Sequence, residues 1–259
     1  MPLSSPPQNK NSTPSPGCSK SSNRGQLAFD RGTLILKGVS TLPEPWQTHF
    51  VWDDRVEAWR GQAMLYAELA RSCAGFNCFD AVFDGMPTTL PVRDWHDISL
   101  RPYQQAALFC WTGARHRGLV VLPTGAGKTR TALAAMKSCR VPTICLVPTR
   151  VLLEQWRESL QSFYSGPVGV LGDGEHRVEA VTVATFESAY RSMSWLGNRF
   201  QMVVVDEAHH FGRSLRDEAL MMSAAPYRLG LTATTPTDDG QLENLQRLIG
   251  PVVFEQSVH

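Results

Sequence analysis

The chain has 259 residues, 42% of them apolar and 19% charged, with 25 Lys plus Arg against 24 Asp plus Glu. These values fit a soluble chain with a real core, arranged as one large domain or two small ones. They exclude a molecule that draws in nucleic acid by its overall field, so any DNA-binding surface has to be a local patch.

In chain order, residues 1–25 are mainly Ser, Pro, Asn, Gly and Lys with one isolated leucine, Leu3. Such a segment buries too little apolar surface to offset its ordering entropy, and it reads as a disordered tail. From Gln26 the composition changes. Leu27–Lys37 reads as two short strands around an Asp30-Arg31-Gly32 turn, and Phe50–Trp52 as another strand ended by Asp53-Asp54. Arg55–Arg71 has helical spacing, with Ala58, Trp59, Ala63, Tyr66, Ala67 and Leu69 on an apolar face. Residues 26–73 are thus expected to form a small α+β domain, and 74–97, with Gly, Pro and Asp at irregular intervals, a linker.

From Leu100 strands and helices alternate. Strands are predicted at 118–122, 143–147, 168–171, 181–184, 202–205 and 229–231, as short apolar runs rich in Val, Ile and Leu. Helices are predicted at 102–115, 128–137, 150–163 and 214–224, the third with Leu153, Trp156, Leu160 and Phe163 on one stripe. This alternation predicts a doubly wound parallel α/β sheet over 98–259. No internal repeat is visible.

The six cysteines form no CxxC pair. That pattern argues against a zinc site and for reduced thiols, buried at Cys139 and Cys145. The N-terminus lacks the charged-then-apolar order of a signal peptide, and no apolar run approaches the roughly 20 residues that a membrane helix needs. The expected location is therefore intracellular, cytoplasmic in a prokaryote or nuclear in a eukaryote, with no membrane partner.

The sharpest chemical signal is Leu122-Pro123-Thr124-Gly125-Ala126-Gly127-Lys128-Thr129, which follows an apolar strand and opens a helix. Glycines let backbone N–H groups close around phosphates, and the helix N-terminus favours their charge. Lys128 would neutralise phosphate and the Thr129 hydroxyl would ligate Mg²⁺. The strict phosphate-loop pattern has Gly where this chain has Leu122. Downstream, Met202–Val205 delivers Asp206 and Glu207 to a strand end. There Asp206 can hold the metal's water shell and Glu207 can orient and deprotonate an attacking water.

The ordered set of segments resembles the superfamily-2 DNA helicases, most of all their XPB/Rad25-like branch. It comprises Leu100–Gln104, the phosphate loop, Leu146–Arg150 with Gln155-Trp156, Ala184–Ser188, Asp206–His209 and Gly230–Thr234. Phe29–Thr33, Trp52–Arg55, Trp59-Arg60 and Tyr66 resemble, more loosely, the small N-terminal domain of archaeal and bacterial XPB-like proteins.

The resemblance implies a first RecA-like lobe of a P-loop NTPase, with ATP and Mg²⁺ as cofactors and DNA as partner. It implies that Gln104, with Arg101, reads the adenine edge. Thr149, Arg150 and Thr185 are implied to touch the nucleic-acid backbone without reading sequence. His209, Thr232 and Thr234 are implied to couple the nucleotide site to the DNA-facing surface.

Two departures stand out. Thr237-Asp238-Asp239 occupies the stretch where XPB-type proteins carry Arg-Glu-Asp, so the arginine is absent there. The sequence also stops soon after Leu248-Ile249-Gly250-Pro251, where in the family a second RecA-like lobe with transition-state arginines follows. The expected function is an ATP-dependent DNA helicase or translocase represented by its N-terminal portion, hydrolysing ATP slowly until a second lobe joins it. A standalone nucleotide- or DNA-binding module, or the motor of a restriction or phage system, are the alternatives.

Overall fold

A computed structural model describes residues 25–42, 44–73, 78–83 and 87–256. The expected disordered tail lies almost wholly outside them.

The small N-terminal sheet begins with β1 (Gly25–Asp30) and β2 (Thr33–Lys37), joined by Arg31 and Gly32 at φ 44° and 87°. Two successive left-handed residues make the tight hairpin whose twist suits the flanking strands. After a short helix, α1 (Glu44–Gln47), come β3 (Phe50–Asp53) and β4 (Ala58–Gln62), then α2 (Tyr66–Cys73) and β5 (Cys78–Ala81). The strand order is β3-β4-β2-β1-β5, antiparallel except for β1 against β5.

Two expectations are corrected here. The helix over Arg55–Arg71 is real only from Tyr66, because 58–62 pairs with both β2 and β3 and sets Trp59 opposite Trp52, ring centroids 5.4 Å apart. Cross-strand aromatic packing and two ladders outweigh the accidental helical spacing. The segment expected as a linker is also built in. Its residues 78–81 close the small sheet, whereas Leu90 and His96 donate backbone bonds to Arg140 and Phe163 of the following lobe.

The lobe runs α3 (Pro102–Gly113), β6 (Arg117–Val121), α4 (Lys128–Cys139), β7 (Thr143–Val147), α5 (Arg150–Phe163), β8 (Val168–Gly172), β9 (Glu175–Arg177), β10 (Val181–Thr185), α6 (Phe186–Leu196), β11 (Met202–Val205), α7 (Asp217–Met221), β12 (Tyr227–Thr232), α8 (Asp239–Leu248) and β13 (Val252–Glu255). Its sheet has the order β13-β6-β12-β11-β7-β10-β8-β9, parallel throughout except for the β8–β9 hairpin. Alternate residues of one strand enter opposite cores. Cys145 and Val147 pack towards α4 and α5, while Ile144 and Leu146 pack towards α6 and α8. Two covered faces explain the continuous apolar runs. α6, α8, β9 and β13 were not predicted, and the helix expected over 214–224 is only Asp217–Met221. Buried Arg228 explains the early end of α7: its guanidinium donates to the carbonyls of Ser223 (2.6 Å), Ala225 (3.1 Å) and Leu248 (2.6 Å), drawing the chain out of the helix.

The two sheets share their interiors. Met64, in the 3-10 turn that follows β4, belongs to the core containing Leu119, Leu245 and Ile249, and Ala224 of the lobe belongs to the small sheet's core. Among the described residues no helix is long and apolar enough to cross a membrane.

Candidate active site

Strand order assembles the site. β12 lies between β6, which feeds the phosphate loop, and β11, which delivers the acids. Leu122 donates its backbone N–H to the Thr232 carbonyl at 3.0 Å, and Asp206 donates its own to Leu146 at 2.9 Å. The end of β6 is thereby tied to β12, and the end of β11 to β7.

In the loop, Gly125 and Gly127 have φ of 79° and 80°, the left-handed region that a Cβ disfavours. Gly127 caps α4, so the first turn of a twelve-residue helix points its free N–H groups at the loop. α3 braces the loop from outside. Gln104 donates to the carbonyls of Ala126 (2.8 Å) and Gly127 (3.4 Å), and the Tyr103 hydroxyl donates to Ala126 at 2.9 Å. The Gln104 amide oxygen accepts from the Arg101 backbone at 2.9 Å. Gln104 is only 2% exposed, so its amide here supports the loop and does not face the cleft freely. That cleft, about 550 Å³, is bordered by Leu100, Arg101, Gly125, Thr129, Arg130 and Phe163. Pro123 is half-buried and Thr124 exposed.

The acids meet the loop. Lys128 Nζ lies 3.7 Å from Glu207 Oε1, and His209 Nδ1 lies 3.4 Å from Glu207 Oε2. Glu207 sits in the left-handed region at φ 50°, which costs a residue with a side chain about 1 kcal/mol. Asp206 is buried, and its two oxygens accept from Trp156 Nε1 (2.8 Å) and from the Glu207 backbone N–H (3.0 Å). Burial holds the Asp206 carboxyl above its ordinary pKa, and the neighbouring Glu207 charge adds to this; the Trp156 bond and Lys128 oppose it. Two carboxylates facing one ammonium leave the site short of positive charge, with oxygen donors of the kind that Mg²⁺ takes.

The expected coupling residues also come together. His209 Nδ1 is 3.1 Å from Thr232 Oγ1, which in turn donates to the Thr234 carbonyl at 2.7 Å. Gln241, which the sequence did not single out, fastens this turn by donating to the carbonyls of His209 (2.8 Å) and Phe211 (3.0 Å). In the Thr237-Asp238-Asp239 stretch, Asp238 caps α8 and forms an ion pair with Arg213.

Thr149, Arg150 and Thr185 share one groove of about 520 Å³ at the carboxyl ends of β7, β8 and β10. Thr149 and Thr185 cap α5 and α6 by accepting from Leu152 and Ser188, each at 3.2 Å, so two helix N-termini face the groove. Arg150 pairs with Asp173 at 2.8 Å.

Residues 97–237, more than half of the chain, match the model of the type III restriction enzyme res subunit family. Residues 27–75 match the model of the Xeroderma pigmentosum group B helicase damage recognition domain. The chain belongs to this superfamily-2 helicase family, in its XPB/Rad25-like branch. It is similar to the DNA 3'-5' translocase XPB2 of Sulfurisphaera tokodaii, 37% identical over 225 residues, covering 86% of this chain and 50% of the relative. It is also similar to a putative DNA 3'-5' helicase Rad25 of Halobacterium salinarum, 34% identical over 178 residues, covering 62% of this chain and 29% of the relative. This family member thus spans half or less of the length of these relatives. The fold is shared with the Sulfolobus solfataricus SWI2/SNF2 ATPase core solved with double-stranded DNA: TM-score 0.53, 19% identity, 63% of this chain and 38% of that one.

Proposed function

We propose that this chain is the ATP- and DNA-binding part of an ATP-dependent DNA translocase or helicase. The observation that carries the reading is the meeting of Lys128 with Glu207 and, beside it, buried Asp206, beyond the ends of β6 and β11 on either side of β12. In this reading the loop 123–129 cradles the phosphates, and Lys128 takes their charge. Thr129 and, through water, Asp206 would hold Mg²⁺, which when bound would supply electrostatic stabilisation of the transferred group. Glu207 orients the attacking water and takes its proton. Arg101 and Gln104 border the base, Gln104 exchanging a loop contact for the adenine edge. Thr149, Arg150 and Thr185, with the N-termini of α5 and α6, hold the sugar–phosphate backbone without reading bases. His209, Thr232 and Thr234 link the two sites. We assign the small sheet and the lobe to two subdomains packed through shared apolar interiors. A second RecA-like lobe, in trans or elsewhere in the polypeptide, is the expected second wall of the cleft.

The test is ATP turnover with and without single- and double-stranded DNA, for this chain alone and mixed with a cognate second lobe. DNA-stimulated hydrolysis in the mixture supports the reading. Nucleotide binding without stimulated hydrolysis in either arrangement makes the chain a standalone binding module.

A further inference from the structure

We propose that Trp156 is a positioning residue for the metal-side carboxylate, fixing the orientation of Asp206 through its indole N–H. The inference rests on the reading of Asp206 as the group facing Mg²⁺ and goes beyond it by assigning what aims that group.

Trp156 lies on the apolar stripe of α5 and is 1% exposed. Packing alone at such a position is met equally well by Phe or Leu. What Trp adds is one N–H on an otherwise apolar body, and a buried indole N–H needs an acceptor. That acceptor is Asp206 Oδ2 at 2.8 Å, in a region with no room for competing solvent: Asp206 is 5% exposed. The other oxygen, Oδ1, takes the backbone N–H of Glu207 at 3.0 Å. Two donors from two different elements define the carboxylate plane, where a single donor leaves it free to swing.

The donor's charge matters as well. An Arg or Lys in this place would orient the carboxylate but also neutralise it and compete with the ion it is to face. A neutral indole orients without removing charge. The site's own cation, Lys128, is directed instead to Glu207, 3.7 Å away. Groups that hydrogen-bond a metal-facing carboxylate typically contribute about 10–100-fold to metal affinity or activity.

The experiment compares wild-type chain with Trp156→Phe, titrating each with a fluorescent ADP analogue in Mg²⁺ and in EDTA. Phe keeps the packing and removes the N–H. We expect equal affinity in EDTA and a loss of about tenfold or more in the tightening that Mg²⁺ produces. Equal tightening in both proteins overturns the role of Trp156. Absence of tightening in the wild type instead overturns the metal-site reading beneath it. Indole resonances of the wild-type protein give a second measurement that does not depend on the Phe variant folding. One of the seven tryptophans should show an N–H signal that moves both on Asp206→Asn and on adding Mg²⁺ with ADP. No signal common to the two also overturns the proposal.

Discussion

Lys128 Nζ stands 3.7 Å from Glu207 Oε1, so the cation expected to meet phosphate is held by the acid expected to activate water. The pair requires opposite outcomes from its two members. Lys128→Ala removes a charge-assisted phosphate contact and should weaken ADP binding by more than about tenfold. Glu207→Gln keeps the side chain's length and should leave ADP affinity within about twofold while reducing hydrolysis by about 10² or more. Equilibrium binding beside steady-state turnover checks both. Hydrolysis surviving in Glu207→Gln would remove the acid from its assigned role.

The two loop glycines should differ. A Cβ on Gly125 meets nothing within 4 Å, whereas one on Gly127 lies 2.5 Å from Gln104 Nε2. Gly125→Ala therefore carries only the left-handed backbone penalty of about 1 kcal/mol. Gly127→Ala adds displacement of Gln104 from the loop. Thermal denaturation should rank wild type above Gly125→Ala and Gly125→Ala above Gly127→Ala; equal loss from both variants contradicts the bracing by α3.

Arg150 offers a test of the groove that spares the fold. Its ion pair with Asp173 is exposed, and such pairs contribute below about 1 kcal/mol. Arg150→Ala should melt like wild type yet weaken single-stranded oligonucleotide binding equally across sequences. The salt dependence of binding should flatten by about one phosphate contact. Thr185→Ala, by contrast, also deletes a helix cap and should cost about 1 kcal/mol of stability.

His116 makes stability depend on pH. Burial, between Trp111 and Tyr227 with ring centroids 4.9 and 5.0 Å away, holds its imidazole below the ordinary histidine pKa. Its contribution is complete above the unfolded-state value and falls away as pH drops through the folded one, because the unfolded chain takes up the proton first. Melting temperature should fall between pH 7.5 and 5.5, and less steeply in His116→Asn. Asn suits the site because residue 116 has φ 61°, a conformation that Asn tolerates. His210, lowered chiefly by burial and next by His209, should keep part of the dependence in that variant.

The lobe was legible where one physical rule dominated. Thr143–Val147, Met202–Val205 and Arg150–Phe163 have the predicted bounds, because a buried parallel strand or a single apolar stripe leaves its period in the chain. Residues 58–62 misled because Ala58, Trp59 and Ala63 have helical spacing by accident, and their pairing with β2 and β3 is a tertiary fact. The phosphate loop and Asp206-Glu207 were readable as motifs. The acceptor of the Trp156 N–H was not, since a residue on a packing stripe gives no local sign of what its polar tip will find fifty positions on.

Met64 reaching into the lobe's interior, and Ala224 into that of the small sheet, mean that these neighbours melt as one. A fragment beginning at the lobe would carry an unfilled apolar socket beside Leu119 and Ile249. Anyone trimming the chain to a minimal ATP-binding piece should keep the first sheet for solubility, whatever it recognises.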